Sequence, residues 1–167
     1  MAAFEVMLAR IETLALDAVV NAANRHLAPG AGVDGALRRA AGPELTRATQ
    51  KLGPIPEGAA VLTPGFDAPA RYIIHVAAPI WFVAGAAEDK IVRLAACYTS
   101  ALALAADNSL TSIAFPCLGT GNFGWPRELA CETALAACRE AHRVERVVFC
   151  CFSEADAELY RDALAAK

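Results

Sequence analysis

Short runs of β-branched and other apolar residues alternate with segments of helical spacing, and this alternation is the strongest constraint on the fold. Strands are predicted at 4–8, 18–20, 60–62, 72–76, 112–115 and 147–151. Helices are predicted at about 35–51, 88–107, 127–141 and 154–166. Strands that alternate with helices favour a layered α/β architecture. Because no linker or low-complexity run divides the chain, we expect one domain over 1–167.

The composition indicates a core-rich chain without a membrane span. Hydrophobic residues make up 56% of the sequence and charged residues 20%. No apolar run approaches the roughly eighteen residues of a span, and the N-terminus lacks a cationic start and a cleavage site. We therefore expect a cytoplasmic protein that does not bind membranes. The six cysteines form no C-x-x-C pair, so we interpret them as reduced core thiols and expect no metal site.

The charge balance argues against nucleic acid as a partner. The formal net charge is −3, and no cluster of Lys and Arg could follow a phosphate backbone. An anionic ligand would have to be held mostly by backbone N–H groups. We expect a monomer that binds no nucleic acid.

Two glycine-rich segments, each between a predicted strand and a predicted helix, are the most informative motifs. Residues 30–35 and 119–124 both match G-x-G-x-x-G. Glycine lets the backbone approach a ligand closely, and the helix that follows offers unpaired N–H groups that favour phosphate. Ligands of open α/β sheets bind beyond the carboxyl ends of the strands, where these loops lie. One such loop alone is often only a tight turn, but two could hold a diphosphate from both sides.

Two other phosphate-binding classes fit the sequence poorly. A dinucleotide-binding oxidoreductase would have its first glycine directly after the strand and an acidic residue at the ribose-binding distance. Here Gly30 lies well beyond the strand, and that acidic residue is missing. The Gly-Lys-Ser/Thr of nucleoside triphosphate hydrolases is absent as well.

The residues around both loops resemble macrodomains, specifically the MacroD-type ADP-ribosyl hydrolases. The similar segments are 17–24, 30–36, 39–42 and 119–124 with Pro126. The resemblance extends from about residue 5 to the C-terminus. It implies a three-layer α/β/α sandwich around a mixed, mostly parallel sheet. It also implies ADP-ribose, or a group that bears it, as the ligand, with no metal or cofactor.

The resemblance assigns roles residue by residue. Asn24 is similar to the asparagine at the distal ribose, and Asp34 to the catalytic aspartate that orients or deprotonates a water near the diphosphate. Phe123 would close over the distal ribose, and Phe152 would pack on adenine. The other residues expected to bind the ligand are Arg10, Ile11, Asn21, Gly30, Gly32, Val33, Arg38, Gly119, Thr120, Gly121 and Asn122.

The chemistry of such a site suits Asp34. A neighbouring diphosphate disfavours the anionic form of a carboxylate, which makes it a better base. The implied reaction is hydrolysis of an ester on the distal ribose, as in O-acetyl-ADP-ribose or ADP-ribosylated Asp and Glu. Two alternatives remain: Asp34 is only an N-cap, or the protein is a reader that binds ADP-ribose without turnover.

Three positions depart from the family pattern. Arg10 stands where many relatives have the Asp that reads the adenine amino group, so we expect weaker base selectivity. Its guanidinium could instead stack on the base, or the Ile11 backbone and Phe152 could bind adenine without it. Arg38 replaces a frequent His and, one helical turn after Asp34, can pair with its carboxylate. Pro29 and Ala31 lie in a loop that relatives fill with glycine, and they would stiffen it.

The remaining histidines and tryptophans look mostly structural. We expect His75 and His142 to pack or to pair with a helix end rather than to catalyse. Trp81 and Trp125 would close the core or the rim of the pocket.

Overall fold

The computed structural model describes residues 1–140 and 143–166, which contain six strands and five α-helices. The strands are β1 (Ala3–Leu8), β2 (Ala18–Ala23), β3 (Ala60–Pro64), β4 (Tyr72–Ala77), β5 (Ser112–Phe115) and β6 (Arg146–Cys151). The helices are α1 (Gly32–Ala41), α2 (Pro43–Gln50), α3 (Ala87–Asp107), α4 (Arg127–Arg139) and α5 (Glu154–Ala165). His142 and the predicted end of the helix at 141 lie outside the described residues.

The strands form one sheet in the order β1-β6-β5-β2-β4-β3. Every neighbouring pair is parallel except β3 and β4, which are antiparallel. The sheet is therefore mixed and mostly parallel, as predicted. The carboxyl ends of β1, β6, β5 and β2 lie side by side, so the segments that follow these strands meet along one edge.

Consecutive strand residues point to opposite faces of the sheet, and both faces are covered by helices. Leu37 of α1 and Leu45 of α2 pack against one face, which carries Val19, Ile73, Ala114 and Val148. Helices α3, α4 and α5 pack against the other face, which carries Val20, Ile74, Ile113 and Val147. The predicted three-layer α/β/α sandwich is confirmed.

The predicted helix over 35–51 is wrong, because two helices occupy this stretch. Gly42 has φ +86° and its N–H closes α1 on the carbonyl of Arg38 at 3.0 Å. Pro43 then begins α2, where its missing N–H costs no helical hydrogen bond. The strand predicted at 18–20 is also longer than expected: β2 continues to Ala23 because its last three residues pair with His75–Ala77 of β4.

No helix in the described residues is both long and apolar enough to cross a membrane. The same residues contain no group of three or more His, Cys, Asp or Glu side chains that could hold a metal ion. The six cysteines are free thiols, and all but Cys117 are buried.

Candidate functional site

A cleft of about 620 Å³ lies at the carboxyl ends of β1, β6, β5 and β2. Both glycine loops contribute to its walls. The predicted site residues that line it are Arg10, Ile11, Asn24, Gly30, Gly32, Val33, Asp34, Gly119, Thr120, Gly121, Asn122, Phe123 and Phe152. The tertiary structure thus brings together residues that are up to 142 positions apart in sequence, from Arg10 to Phe152.

The amide side chain of Asn24 holds the start of the first loop, residues 24–34. Its Oδ1 accepts hydrogen bonds from the backbone N–H groups of His26 (3.0 Å) and Ala28 (3.2 Å). Its Nδ2 donates to the carbonyl of Ala28 at 2.9 Å. Asn side chains commonly stabilise turns in this way. Asn24 therefore shapes the loop in addition to lining the cleft.

The carboxylate of Asp34 holds the end of the same loop. Oδ1 accepts from Nδ2 of Asn21 at 2.7 Å, and Oδ2 accepts from the N–H of Gly30 at 2.7 Å and from Nε of Arg38 at 2.8 Å. Only 3% of Asp34 is exposed. The N-cap of α1 is Ala31, so the interpretation of Asp34 as an N-cap residue is wrong. Asp34 instead reaches back from the first turn and fixes the glycine loop.

Arg38 also binds the Asp34 carboxylate. The pairing predicted from the i,i+4 spacing is present, and the Arg38 side chain is nine-tenths buried. Its two Nη atoms donate to the Thr46 and Thr49 hydroxyls and to the carbonyl of Leu27, at 3.0 to 3.1 Å. A planar guanidinium with five donors suits this set of acceptors better than an ammonium would.

Asn21 and Arg38 differ from the other predicted ligand-binding residues, because neither belongs to the residues found along the cleft wall. Asn21 lies in β2 and is fully buried, since the strand continues past the predicted end at residue 20. Arg38 lies one turn beyond Asp34 and faces α2. Both contact the Asp34 carboxylate, which itself lines the cleft.

A buried histidine extends this polar network into the sheet. Nδ2 of Asn21 lies 3.0 Å from Nδ1 of His75, and the Thr63 hydroxyl lies 3.0 Å from its Nε2. Because an amide nitrogen only donates, Nδ1 accepts, and Nε2 carries the proton that it donates to Thr63. Burial, and next the charge of Arg38, lower the pKa of His75 to about 4. His75 is neutral at physiological pH and structural, as predicted.

The second loop, residues 116–124, is held mainly by backbone and by tryptophan. Gly119 has φ +87°, and a Cβ there would lie 2.6 Å from Cδ1 of Trp125. The backbone N–H of Trp125 donates to the Gly119 carbonyl, and its indole N–H donates to the carbonyl of Pro79. By contrast, a Cβ on Gly121 would have no atom within 4 Å. That position is open, so packing against the described residues does not require glycine there.

The comparisons with known proteins agree with this geometry. The family described as Macro domain matches residues 20–134, which include both glycine loops. The chain belongs to the macrodomain family. A macro domain-containing protein of Ralstonia nicotianae is 52% identical over 157 residues, covering 93% of this chain and 91% of the relative.

Two further macrodomain relatives have names or ligands that bear on function. The O-acetyl-ADP-ribose deacetylase of Klebsiella pneumoniae is 44% identical over 169 residues, covering 96% of this chain and 95% of that protein. A variant of the Oceanobacillus iheyensis macrodomain, solved with ADP-ribose, superposes with a TM-score of 0.91 at 36% identity. The match covers 97% of this chain and 91% of that structure.

Several macrodomain cleft residues were not anticipated from the sequence. The polar or reactive ones are Glu12, Arg39, Cys117, Cys150 and Asp156. Cys150 and Asp156 line the cleft because β6 lies beside β1, and only the strand order of the sheet shows this. Glu12 had an earlier signal: it lies two residues after Arg10, in the segment where the sequence already departs from the family.

Proposed function

We propose that this macrodomain binds ADP-ribose and hydrolyses esters on its distal ribose, in O-acetyl-ADP-ribose or in ADP-ribosylated Asp and Glu side chains. The observation that carries the proposal is the fixed Asp34 carboxylate in the wall of a cleft between two glycine loops. The name of the Klebsiella relative and the ADP-ribose in the Oceanobacillus structure support it. We further propose that residues 1–167 act as one cytoplasmic, monomeric macrodomain.

In this reaction the backbone N–H groups of both loops hold the diphosphate, as oriented amides at helix starts do for phosphate. Asn24 faces the distal ribose, and Asp34 orients a water toward the acyl carbon. Water adds to that carbon, the bond to the ribose oxygen breaks, and the ribose oxygen takes up a proton. The products are ADP-ribose and a free carboxylic acid.

A second candidate is a reader that binds ADP-ribose without turnover. The observation that favours it is the three donors already on the Asp34 carboxylate, one of them a guanidinium. A carboxylate so fully occupied has less capacity left to bind and activate a water molecule.

Turnover of O-acetyl-ADP-ribose and of a mono-ADP-ribosylated protein separates the two candidates. We expect the wild type to release ADP-ribose from at least one of them. Asp34→Asn, which keeps the shape, should lower kcat more than about 100-fold while the Kd for ADP-ribose changes less than about tenfold. Tight binding with no turnover by the wild type would establish the reader and reject the hydrolase.

A further inference from the structure

The cleft has two chemically different ends. Asn24 and Asp34, whose polar groups suit hydroxyls and water, follow β2. Ile11 and Phe152 follow β1 and β6; β1 is the edge strand of the sheet, and β6 lies two positions from β2. The Phe152 side chain is exposed, so a flat group could stack on it. If the diphosphate lies between the glycine loops, as the proposed function requires, the base falls at the β1 and β6 end.

Glu12 is one of two carboxylates at this end of the cleft; the other, Asp156 of α5, accepts from Nε of Arg127 at 2.7 Å. Glu12 lies in the short 3-10 turn Ile11–Thr13 that follows β1. Its Oε1 accepts from Nε of Arg10 at 2.8 Å, and its side chain is 15% exposed, against 66% for Arg10. No described residue donates to its Oε2. The partly buried Glu12 side chain therefore lines the cleft, and one of its carboxylate oxygens has unused accepting capacity.

The turn that carries Glu12 is fixed by its own hydrogen bonds. The hydroxyl and the backbone N–H of Thr13 both donate to the carbonyl of Arg10, at 2.6 and 3.0 Å. The N–H of Leu14 donates to the carbonyl of Ile11 at 3.2 Å. Because this backbone is held and one carboxylate oxygen is tied to Arg10, the other oxygen has a defined position.

We propose that Glu12 reads the nucleobase, and that Arg10 positions it. An ionised carboxylate only accepts hydrogen bonds, so it favours a base that offers an amino group. Adenine carries an exocyclic amine, whereas hypoxanthine carries a carbonyl oxygen at the same place, which the carboxylate repels. Glu12 would therefore select adenine although Arg10 cannot, which reverses the weak base selectivity expected from Arg10 alone.

Calorimetry with ADP-ribose and with its hypoxanthine analogue, inosine-diphosphate ribose, tests this inference, which rests on the proposed ADP-ribose binding. The wild type should bind ADP-ribose at least about tenfold more tightly than the analogue, the scale of one charge-assisted hydrogen bond. Glu12→Ala should lose most of that preference through weaker ADP-ribose binding. Glu12→Gln should also lose most of the preference, but through tighter binding of the analogue, because an amide can both donate and accept hydrogen bonds.

Two further variants provide controls. Glu158→Gln makes the same charge change on an exposed residue of α5 that does not line the cleft, and it should keep the wild-type preference. Arg10→Ala should reduce the preference by a smaller factor, about threefold, because Glu12 remains but is no longer held. Thermal unfolding of each variant shows that its fold is intact.

The outcomes separate the inference from the proposed function. Equal wild-type affinity for both ligands, or an adenine preference that survives Glu12→Ala, overturns the role of Glu12 and leaves ADP-ribose binding intact. A wild type that binds neither ligand overturns the proposed function and, with it, the role of Glu12.

Discussion

The first glycine loop (residues 24–34) and the second (116–124) share the pattern G-x-G-x-x-G but are held by different forces. Asn24 and Asp34 hold the first loop with charged and amide side chains. Backbone hydrogen bonds and the packing of Trp125 on Gly119 hold the second. The same motif can thus be stabilised by electrostatics or by shape. The first loop should respond to charge and pH, and the second to steric bulk.

Removing the Asp34 carboxylate should have the largest effect. Asp34→Ala leaves the buried guanidinium of Arg38 without its counter-ion, so we expect a loss of about 4 kcal/mol in the free energy of unfolding. Urea denaturation measures this loss. Combining Asp34→Ala with Arg38→Met in a double-mutant cycle should recover about 2 kcal/mol. A loss below about 1 kcal/mol for Asp34→Ala would show that charge does not hold this loop.

A larger side chain should destabilise the second loop, as the loss of a charged side chain should destabilise the first. Gly119→Ala combines a positive φ with a Cβ 2.6 Å from Trp125, so it should cost about 3 kcal/mol of unfolding free energy. The matched control is Gly121→Ala, where the space is open. It should change stability by less than about 0.5 kcal/mol but weaken ADP-ribose binding more than about tenfold. Equal stability losses in the two variants would contradict a steric role for Trp125.

The pH dependence of stability should come from His75, which is connected to the first loop by the hydrogen bonds of Asn21. Its folded pKa of about 4 lies below its ordinary value of about 6.5, so the unfolded chain binds more protons between these limits. Stability should therefore fall with decreasing pH, by about 2 kcal/mol from pH 6.5 to roughly pH 4.5. Asp17, whose pKa is lowered chiefly by the backbone N–H of Thr111, loses its contribution at lower pH.

Two glutamine substitutions isolate the His75 contribution. His75→Gln can still accept from Asn21 and donate to Thr63, so it should remove most of this slope while the protein stays folded. His26→Gln changes an exposed histidine and should retain the slope. Denaturation curves at several pH values compare the two. An unchanged slope in His75→Gln would assign the pH dependence elsewhere.

Replacing single polar side chains of the two loops should have the smallest effect on the free energy of unfolding. Asn24→Ala removes three hydrogen bonds that shape the first loop, and we expect a loss of about 1 kcal/mol. Thr120→Ala removes one side-chain hydrogen bond, to the Cys117 carbonyl, and should cost about 0.5 kcal/mol or less. Thermal denaturation ranks the two. A larger loss for Thr120→Ala would mean that side chains matter equally in both loops.

Local pattern was enough to predict most of the architecture. Adjacent strand residues such as Val19 and Val20 are both apolar because both faces of the sheet are covered, and that signal is readable over a few residues. The helix break at Gly42 was missed, although Gly42 and Pro43 mark it, because the apolar spacing continues across it. The macrodomain motifs then indicated both loops of the cleft.

Long-range placement accounts for what sequence reasoning missed at the site. Asn21 and Arg38 were predicted to bind the ligand because they lie within or beside the motif. Their side chains instead turn to His75 and to α2, partners brought near by the sheet order and by the packing of two helices. Glu12 was overlooked because its position at the cleft depends on the neighbouring strands of the sheet rather than on its neighbours in sequence.

The order of residues alone specifies the alternating elements, the two glycine turns and the carboxylate within the first of them, because these depend on backbone preferences and apolar spacing within short windows. Only the folded chain decides that Asp34 is anchored by Asn21 and Arg38 and that Glu12 faces the cleft. Hydrogen bonds between distant segments form only after the sheet has set which loops are neighbours, and no local pattern encodes that arrangement.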